Sequence, residues 1–338
     1  MTRIVVDAMG SDNFPTPDIE GAVLAAREYG VEIILVGDEA KIQLVLDKQD
    51  LQGLHVRVVH APEMLTMNDK GMALALKARR TGAKNSMAIG IDLVKNGEAD
   101  VFVTAGNTGA CVASSYFRLG MIEGVDLPAL VGPFPTATGI CLVLDIGANP
   151  NCKPINLQQF AIMGSVYAEK VRGVQNPRIG LIANGEEAGK GCELVKESYP
   201  LLEAAKINFI GNVEGKEIFN GHADVAVTDG FTGNVFLKAT EAVAKLLVEK
   251  IRETIKGGNL PTKIGGMLVR PALGSIRKTM DPSEEGAAPL LGVNGLVFIS
   301  HGRSDAIAIK SSVRVAKIAA EAKVLDAMKS AIEESLKK

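Results

Sequence analysis

Short apolar runs alternate with amphipathic helical segments from the first residues of the chain onward. Apolar runs predict strands, and helical periodicity of the apolar positions predicts helices. In chain order, we predict a strand at 4–7, a helix at 18–29, a strand at 32–36, a helix at 39–46, a strand at 55–60, helices at 72–80 and 87–96, and a strand at 101–104. This alternation requires crossover connections, so it indicates an α/β fold with a mostly parallel sheet and helices on both faces.

A stretch rich in glycine and proline, residues 120–140, interrupts the pattern, and we predict a break or a boundary between two lobes there. The pattern then resumes with a strand at 141–145, a helix at 157–171, a strand at 179–183, a helix at 191–202, strands at 208–210 and 225–228, a helix at 233–256, a strand at 295–300 and a helical region at 305–337. A chain of 338 residues can form one large α/β unit or two lobes.

Several predicted strands end in a turn of glycine and asparagine. These turns are TAGNTGA (104–110), DIGAN (145–149), ANGEEAGKG (183–191) and TDGFTGN (228–234). Glycine lets the backbone approach a ligand closely, and a helix that begins at such a turn presents unpaired N–H groups to an anion. The turns predict a phosphate-binding cleft at the carboxyl ends of the strands. Ordinary strand-to-helix turns also need glycine, and the residues alone leave that alternative open.

Composition narrows the class of protein. The net charge is −2 and the pI is about 6.2, and the chain has no tryptophan, so we expect no nucleic-acid partner. The cysteines Cys111, Cys141, Cys152 and Cys192 are widely spaced and have no nearby histidine pair, which favours reduced thiols and no metal site. The start of the chain does not resemble a secretory leader, and no run reaches the roughly 18 apolar residues of a membrane span. We therefore expect a cytoplasmic protein.

Three common catalytic motifs are missing. The segment ANGEEAGKG is not a nucleotide-binding P-loop, because only three residues separate Gly185 from Gly189 and Gly191 stands where a hydroxyl is required. The chain also has no G-x-G-x-x-G after an early strand and no G-x-S-x-G. Lys190 is placed to reach an anion held by the backbone of Asn184 and Gly185, or it is a solvated lysine at a helix start.

His301 lies in the segment SHGRSD (300–305), directly after a predicted strand. A lone histidine is most often structural, but the neighbouring Arg303 and Asp305 favour a general base. Asp229 ends another strand, where a carboxylate is either catalytic or a helix cap. Many backbone donors without an evident covalent nucleophile indicate a reaction whose nucleophile is a bound anion, catalysed by positioning and charge stabilisation.

Taken together, the motifs resemble one family across essentially the whole chain. They are DAMGSD (7–12), TAGNTGA, DIGAN, ANGEEAGKG, GNVEG (211–215), DGFTGN (229–234) and GVNGLVFISHG (292–302). The set is similar to the PlsX-type acyl-ACP:phosphate acyltransferases of bacterial phospholipid synthesis. The resemblance implies that acyl-[acyl carrier protein] and inorganic phosphate give acyl phosphate and free carrier protein. The acyl phosphate would then pass to a membrane glycerol-3-phosphate acyltransferase.

The resemblance also implies a three-layer α/β/α fold, similar to phosphotransacetylase and to isocitrate and isopropylmalate dehydrogenases, in a homodimer without cofactor or metal. By analogy with phosphotransacetylases, the residues that would line the phosphate site are Gly233, Asn234, Ser300, His301, Arg303 and Asp305, although a His-Gly pair separates Ser300 from Arg303 here. We expect His301, Asp229 and Lys190 to be catalytic. The predicted phosphate- and substrate-binding residues are Asn107, Asn149, Asn184, Gly185, Thr232, Gly233, Asn234, Ser300 and Arg303.

Two other functions stay open at this point. The same turns suit a non-catalytic regulator that binds an anion or a nucleotide. The related fold also serves dehydrogenases, which would need a nicotinamide and a divalent metal.

Residues 257–281 predict an exposed amphipathic segment, too interrupted by glycine and proline for a core helix. Its apolar residues Ile264, Met267, Leu268 and Val269 are flanked by basic ones, which are Lys263, Arg270, Arg277 and Lys278. Apolar residues ringed by cations favour shallow insertion into an anionic membrane surface. The alternatives are packing on the other subunit and docking of the acidic carrier protein.

Overall fold

Successive residues of the strands face opposite sides of the sheet, and both sides are apolar. Ile4 and Val6 lie in one buried cluster and Val5 lies in the other, and the neighbouring strands alternate in the same way. Strands buried on both faces are typical of a sheet covered by two helical layers. The computed structural model describes residues 1–66, 68–69, 71–80, 82–279 and 286–337, with the side chains of 71–73 and 270–279 outside the description.

Within these ranges, one sheet contains eleven strands. They are β1 (Arg3–Asp7), β2 (Glu32–Gly37), β3 (Val56–His60), β4 (Val101–Thr104), β5 (Ala129–Thr136), β6 (Gly139–Leu144), β7 (Arg178–Ile182), β8 (Asn208–Val213), β9 (Val225–Val227), β10 (Ala288–Leu291) and β11 (Leu296–Ile299). Their order in the sheet is β3-β2-β1-β4-β11-β10-β5-β6-β9-β7-β8. The predicted α/β fold with a mostly parallel sheet is confirmed.

Helices form a layer on each face of the sheet. One layer consists of α1 (Thr16–Tyr29), α2 (Glu39–Leu46), α6 (Pro154–Arg172), α7 (Glu193–Glu203), α11 (Ala306–Glu321) and α12 (Val324–Leu336). The other consists of α3 (Gly71–Arg79), α4 (Ser86–Lys95), α5 (Thr108–Leu119), α8 (Gly215–Phe219) and the start of α9 (Gly230–Gly257). The remaining helix, α10 (Leu260–Thr279), follows α9.

The sheet consists of two parallel halves that run in opposite directions. Strands β3, β2, β1, β4 and β11 form one half, and β6, β9, β7 and β8 form the other. Between them, β10 is antiparallel to both β11 and β5, and β5 is antiparallel to β6. Three successive reversals invert the strand direction, so the carboxyl ends of the two halves point toward opposite edges of the sheet.

The register nevertheless brings the carboxyl ends of β11 and β6 to nearly the same height. The pairs that define it are Ile299 with Ala288, Leu290 with Leu130, and Val131 with Leu144. Counted along these ladders, Leu144 lies one residue from the level of Ile299, or about 3.3 Å along the strand direction. The lateral separation is three strand spacings, roughly 14 Å. The turns that follow both halves therefore approach one another across the middle of the sheet.

Strand β5 lies inside the interval 120–140, where the sequence predicts a break. Pro133 and Pro135 obscure it, because proline removes a backbone donor from a strand. β10 pairs only with the first two residues of β5, so the later residues have a strand partner on the β6 side alone. Ile146 N–H donates to the carbonyl of Leu130, so the even-numbered residues of β5 bond toward β6. The nitrogens of Pro133 and Pro135 therefore face the side without a strand partner, where proline is tolerated. A lobe boundary at 120–140 stays a prediction.

The other differences are one divided helical region and three elements that were not predicted. The helical region predicted at 305–337 is divided into α11 and α12 at Lys323, which has a left-handed backbone with φ of 51°. The elements not predicted are the helices α5 and α8 and the strand β10. All elements predicted before residue 105 are present, with bounds that differ by two residues at most.

The predicted segment 257–281 is helical as far as Thr279, where α10 ends. It forms a hairpin with α9 in which Gly266 contacts Ile255. Leu268 is 77% exposed, and none of the described side chains of the helix, which end at Val269, is buried. Met280 and Asp281 lie outside the described residues, as do the side chains of the basic residues predicted to flank the segment at 270, 277 and 278. Within the described part of the chain, no helix combines the length and hydropathy needed to cross a bilayer.

Candidate active site

A buried carboxylate organises the turn that follows β6. Asp145 Oδ1 accepts hydrogen bonds from the backbone N–H groups of Leu130, Gly147 and Ala148 at 3.1, 3.0 and 2.9 Å. Its Oδ2 accepts from the backbone and the side chain of Asn149 at 2.7 and 2.9 Å. Burial raises the pKa of Asp145, and the hydrogen bonds from the turn oppose that rise. The turn is therefore held in one conformation by its own aspartate.

Asn149, predicted to bind phosphate, is occupied inside the same turn. Its side-chain nitrogen donates to the carbonyl of Pro128 at 2.5 Å as well as to Asp145. Both amide hydrogens are used, so the side chain shapes the turn and offers no donor to a ligand.

The first residues of α9 interlock with this turn. Gly230 N–H donates to the carbonyl of Asn149 at 2.8 Å, and a Cβ on Gly233 would overlap the carbonyl oxygen of Asp145. Glycine is required at 233 for this close approach. Asp229 caps the helix, accepting from Thr232 N–H at 2.9 Å and from its hydroxyl at 2.7 Å. The predicted residues Asp229, Thr232 and Gly233 therefore build the helix start.

Asn234 is exposed and points to the turn after β6. A Cβ on Gly147 would lie 3.5 Å from the Asn234 side-chain carbon Cγ. Unlike Asn149, Asn234 has no side-chain hydrogen bond within the described residues, so its amide is available to a ligand.

The loop after β7 carries Asn184, Gly185 and Lys190, and Asn184 and Lys190 are exposed. The Lys190 side chain folds over Gly185, where a Cβ would lie 2.9 Å from the lysine Cγ. Lys190 N–H and the side chain of Asn212 both donate to the carbonyl of Glu187, at 2.9 and 2.8 Å. Lys190 has no ion pair within the described part of the chain. A lysine held over a glycine turn without a carboxylate partner is suited to an anionic ligand.

Asn107, in the turn after β4, is also committed to the protein. Its Oδ1 accepts from Ala110 N–H at 3.0 Å and so caps α5. Its nitrogen donates to the carbonyls of Thr66 and Asp69 at 3.1 and 3.2 Å. If this turn binds phosphate, as predicted, the donors would be backbone N–H groups next to Asn107 and not its side chain.

The segment after β11 carries three predicted site residues, of which one is buried and two are exposed. Ser300 is 6% exposed, and its hydroxyl pairs with that of Ser312 at 2.7 Å, away from solvent. His301 and Arg303 are exposed. Arg303 N–H donates to His301 Nδ1 at 3.3 Å, so the neutral ring carries its proton on Nε2.

Burial and the neighbouring charges lower the pKa of His301 and so favour its neutral form. Partial loss of hydration lowers the pKa of His301, and the cations Arg303 and Lys238 lower it further, while Glu241 and Asp12 act in the opposite direction. A neutral ring protonated on Nε2 donates a hydrogen bond to an anion from that atom.

Helix α9 links the two groups of turns. From Asp229 to Lys238 it rises about 13 Å, which is comparable with the separation of the two half sheets. Phe236 fixes this stretch by stacking on Phe134 at a ring separation of 4.9 Å and by contacting Phe219 at 5.6 Å. Lys238 then reaches the electrostatic neighbourhood of His301. The sequence prediction missed Lys238, although its spacing of four residues from Asn234 places both on one face of a helix.

The structure therefore divides the predicted residues into two groups. Around the start of α9 are Asn149, Asp229, Thr232, Gly233 and Asn234, with Asn184, Gly185 and Lys190 on the loop of the same half sheet. In the other half are Asn107, Ser300, His301 and Arg303. The turns predicted to share one edge of the sheet thus belong to two halves that run in opposite directions, bridged by α9. Exposed donors and cations on both sides can hold an anion.

The fold is that of phosphotransacetylases. The chain aligns over 95% of its length with a phosphotransacetylase from Streptococcus pyogenes, covering 94% of that chain, with a TM-score of 0.60 and 16% identity. It also aligns over 95% of its length with 4-hydroxythreonine-4-phosphate dehydrogenase from Klebsiella pneumoniae, covering 98% of that chain, with a TM-score of 0.54 and 12% identity. The expected likeness to phosphotransacetylase and to a dehydrogenase fold is confirmed.

Sequence comparison is more specific. A family described as "Fatty acid synthesis protein" matches residues 2–327. A "Phosphate acyltransferase" from Geobacter sulfurreducens is 48% identical over 314 residues, 93% of this chain and 89% of the relative. Another from Pelotomaculum thermopropionicum is 45% identical over 331 residues, 98% of this chain and 95% of the relative. The chain belongs to this family of phosphate acyltransferases, which are enzymes of fatty acid and phospholipid synthesis. The family resemblance is confirmed, and the non-catalytic regulator is excluded.

Proposed function

We propose that the protein transfers the acyl group of acyl-[acyl carrier protein] to inorganic phosphate, giving acyl phosphate and free carrier protein. The observation that supports this most directly is the set of exposed donors and cations on either side of the first turns of α9. Asn234, Lys190, His301 and Arg303 are exposed, and within the described residues the side chains of Asn234, Lys190 and Arg303 have no hydrogen bond or ion pair, while His301 uses only its Nδ1. Such a set suits a phosphate dianion next to a polarised carbonyl.

In the proposed mechanism, a phosphate oxygen attacks the thioester carbon directly. The C–S bond then breaks, and the pantetheine thiolate leaves and takes up a proton from solvent. Lys190 and Arg303 hold the phosphate, and the Nε2–H of His301 orients it. Asn234 and the N–H groups at the start of α9 stabilise the tetrahedral oxyanion. Asp229 maintains that helix start as its cap.

Three of the four cysteines, all but the exposed Cys192, are poor alternatives as acyl carriers. Burial raises the pKa of Cys111 and of Cys141 to about 12 and that of Cys152 to about 11. Because the thiolate is the nucleophile, these thiols would react slowly at neutral pH. This supports transfer without a covalent enzyme intermediate.

The test is phosphate-dependent consumption of long-chain acyl-[acyl carrier protein], with acyl phosphate trapped by hydroxylamine. We expect turnover only with phosphate present, and a loss of about 10²-fold for Asn234→Ala and for Lys190→Ala. Lys206→Ala is the matched control, since Lys206 is an exposed lysine away from the turns and should keep full activity.

Two results would contradict the proposal. One is wild-type turnover in both Ala variants with circular dichroism unchanged, which would move the site elsewhere. The other is a stoichiometric acyl adduct on the protein after incubation with labelled acyl-[acyl carrier protein] without phosphate, which would replace direct attack by a covalent route.

We further propose that the protein is a homodimer. Val243, Leu247 and Ile251 recur every helical turn on α9 and are 55%, 56% and 44% exposed. With Leu246 they form an apolar stripe that a second subunit would cover. Sedimentation at micromolar concentration should give about twice the chain mass of 35.6 kDa, and Leu247→Glu should lower it toward the monomer. A wild-type monomer with full turnover would refute the dimer.

Finally, we propose that α10 contacts the cytoplasmic surface of the membrane. Ile264, Met267, Leu268 and Val269 are 47%, 69%, 77% and 47% exposed, beside the basic Lys263. This suits an amphiphilic acyl phosphate that passes to a membrane glycerol-3-phosphate acyltransferase. Wild type should float with anionic vesicles, and Leu268→Glu should stay in solution with its activity intact. Equal flotation of both would contradict membrane contact, and lost activity in solution would favour carrier-protein docking.

A further inference from the structure

Asp18, in the first turn of α1, is a buried acid that the proposed mechanism does not use. Its side chain is fully buried, and its Oδ2 accepts a hydrogen bond from the Ser11 hydroxyl at 2.6 Å. Its Oδ1 has no hydrogen-bond partner within the described residues. An unpaired carboxylate oxygen in the interior costs stability, so an apolar residue would be the cheaper way to fill this space. An acid at this position therefore indicates a role other than stabilising the fold.

The partner of Asp18 belongs to the loop between β1 and α1. Ser11 is 2% exposed, and the next residue, Asp12, donates its N–H to the carbonyl of Gly302 at 2.7 Å. Gly302 lies between His301 and Arg303. Asp18 is thus connected to the His301–Arg303 turn through one side-chain bond and one backbone bond.

Helix α1 and the loop between β1 and α1, which form the two ends of this connection, are both closely packed against other parts of the protein. On α1, one turn after Asp18, a Cβ on Gly21 would lie 2.5 Å from the carbonyl oxygen of Ala306, at the start of α11. In the loop, a Cβ on Gly10 would lie 2.9 Å from the backbone nitrogens of Ala105 and Gly106. Helix α1 is therefore seated against the helix that follows the His301–Arg303 turn, and the loop is seated against the turn after β4.

We propose that Asp18 is a positioning residue for the His301–Arg303 turn, acting through Ser11 and through the bond from Asp12 N–H to the Gly302 carbonyl. The proposal rests on the proposed function in one respect, which is that His301 and Arg303 handle the phosphate. The charged group that acts on Asp18 is Asp7, and those that act on His301 are Arg303, Lys238, Glu241 and Asp12.

The connection has a consequence that a general loss of stability would not produce. The bond from Arg303 N–H to His301 Nδ1 lies within the turn and favours the neutral ring, because a protonated Nδ1 could not accept it. If the loop no longer holds Gly302, this bond weakens. The pKa of His301 then rises toward its ordinary value of 6.5.

The experiment is an NMR titration of the protein labelled with ¹³C in its histidine rings, with the His301 signal assigned through His301→Ala. We expect Ser11→Ala and Asp18→Ala to raise the pKa of His301 by about half a unit and to raise KM for phosphate by roughly 10-fold. Asp18→Asn keeps an oxygen acceptor for Ser11, so it should leave both quantities near wild type. Ser198→Ala is the matched control, because it removes a buried hydroxyl bonded to the Leu194 carbonyl in α7.

The outcomes separate the positioning role from the function of the site. An unchanged His301 pKa and phosphate KM in folded Ser11→Ala would overturn the positioning role, and this variant decides if Asp18→Ala fails to fold. A rise in pKa equal to that in Ser198→Ala would overturn it as well. If the pKa rises as expected but His301→Ala and Arg303→Ala keep wild-type turnover, the positioning role stands and the proposed phosphate site fails.

Discussion

Asp145, directly after β6, and Asp18, in the first turn of α1, are both buried aspartates, but they are paired very differently. Both oxygens of Asp145 accept hydrogen bonds, from the backbone of its own turn and from Asn149. Asp18 has one oxygen on Ser11 and the other without a partner in the described chain. We therefore expect the turn after β6 to be a fixed wall of the proposed site and the His301–Arg303 turn, which Asp18 supports through Ser11, to be the wall that substitutions shift.

Among the substitutions that test this difference, we expect the largest effect, a loss of activity, for Gly233→Ala. The new Cβ would overlap the Asp145 carbonyl, which the fixed wall cannot move aside. We expect activity to fall by about 10²-fold or more, with a lower melting temperature. Gly257→Ala is the control in the same helix, since no atom lies near its added Cβ. Near-normal activity in Gly233→Ala would show that this wall is not fixed.

Asp145→Asn should have the next largest effect. Asparagine keeps one acceptor oxygen, but its NH₂ group replaces the second oxygen. This NH₂ group faces the N–H donors that bond to the second oxygen in the wild type. With two or three N–H groups left unpaired, we expect a loss on the order of 5 kcal/mol in the free energy of unfolding, measured with urea. A loss below about 1 kcal/mol would mean that the hydrogen bonds around Asp145 do not hold the turn.

Asp18→Asn should have the smallest effect. It should raise the free energy of unfolding, whereas Asp145→Asn should lower it. Burial is the main cause that raises the pKa of Asp18 from 3.8 to about 7. Between these values the folded state binds the extra proton, so the stability contributed by Asp18 is lost as pH rises from about 4 to 7. Asparagine does not titrate, so the variant should match wild type near pH 4 and be more stable above pH 7, by at most about 4 kcal/mol.

Thermal melts of both proteins from pH 4 to pH 8 test this dependence. The difference in melting temperature should grow with pH and level off above 7. A constant difference across the range would mean that Asp18 does not titrate in the folded protein.

The sequence predicts the fold class well because strand and helix patterns are local. The direction of the second half sheet is not predictable in this way, because it depends on how β10 inserts between β11 and β5 from residues far apart in the chain. The site shows the same limit. A Gly-Asn pair has a similar local pattern whether its asparagine caps a helix, like Asn107, or lies in the first turns of a helix and faces solvent, like Asn234. The bond from Ala110 N–H and the distant partners Thr66 and Asp69 occupy the side chain of Asn107, and only the structure shows them.

Because β10 and β11 lie in the middle of the sheet, the sheet can be completed only late in the synthesis of the chain. These strands come from residues 288–299, yet they complete the sheet between β4 and β5, which are made much earlier. Until they emerge, β4 and β5 are two further open edges besides β3 and β8, and open edges are prone to wrong pairing. His301 and Arg303 follow them immediately, so the residues that close the sheet are made together with those that complete the site. A chain that stops short of residue 288 has neither a continuous sheet nor the complete proposed anion site.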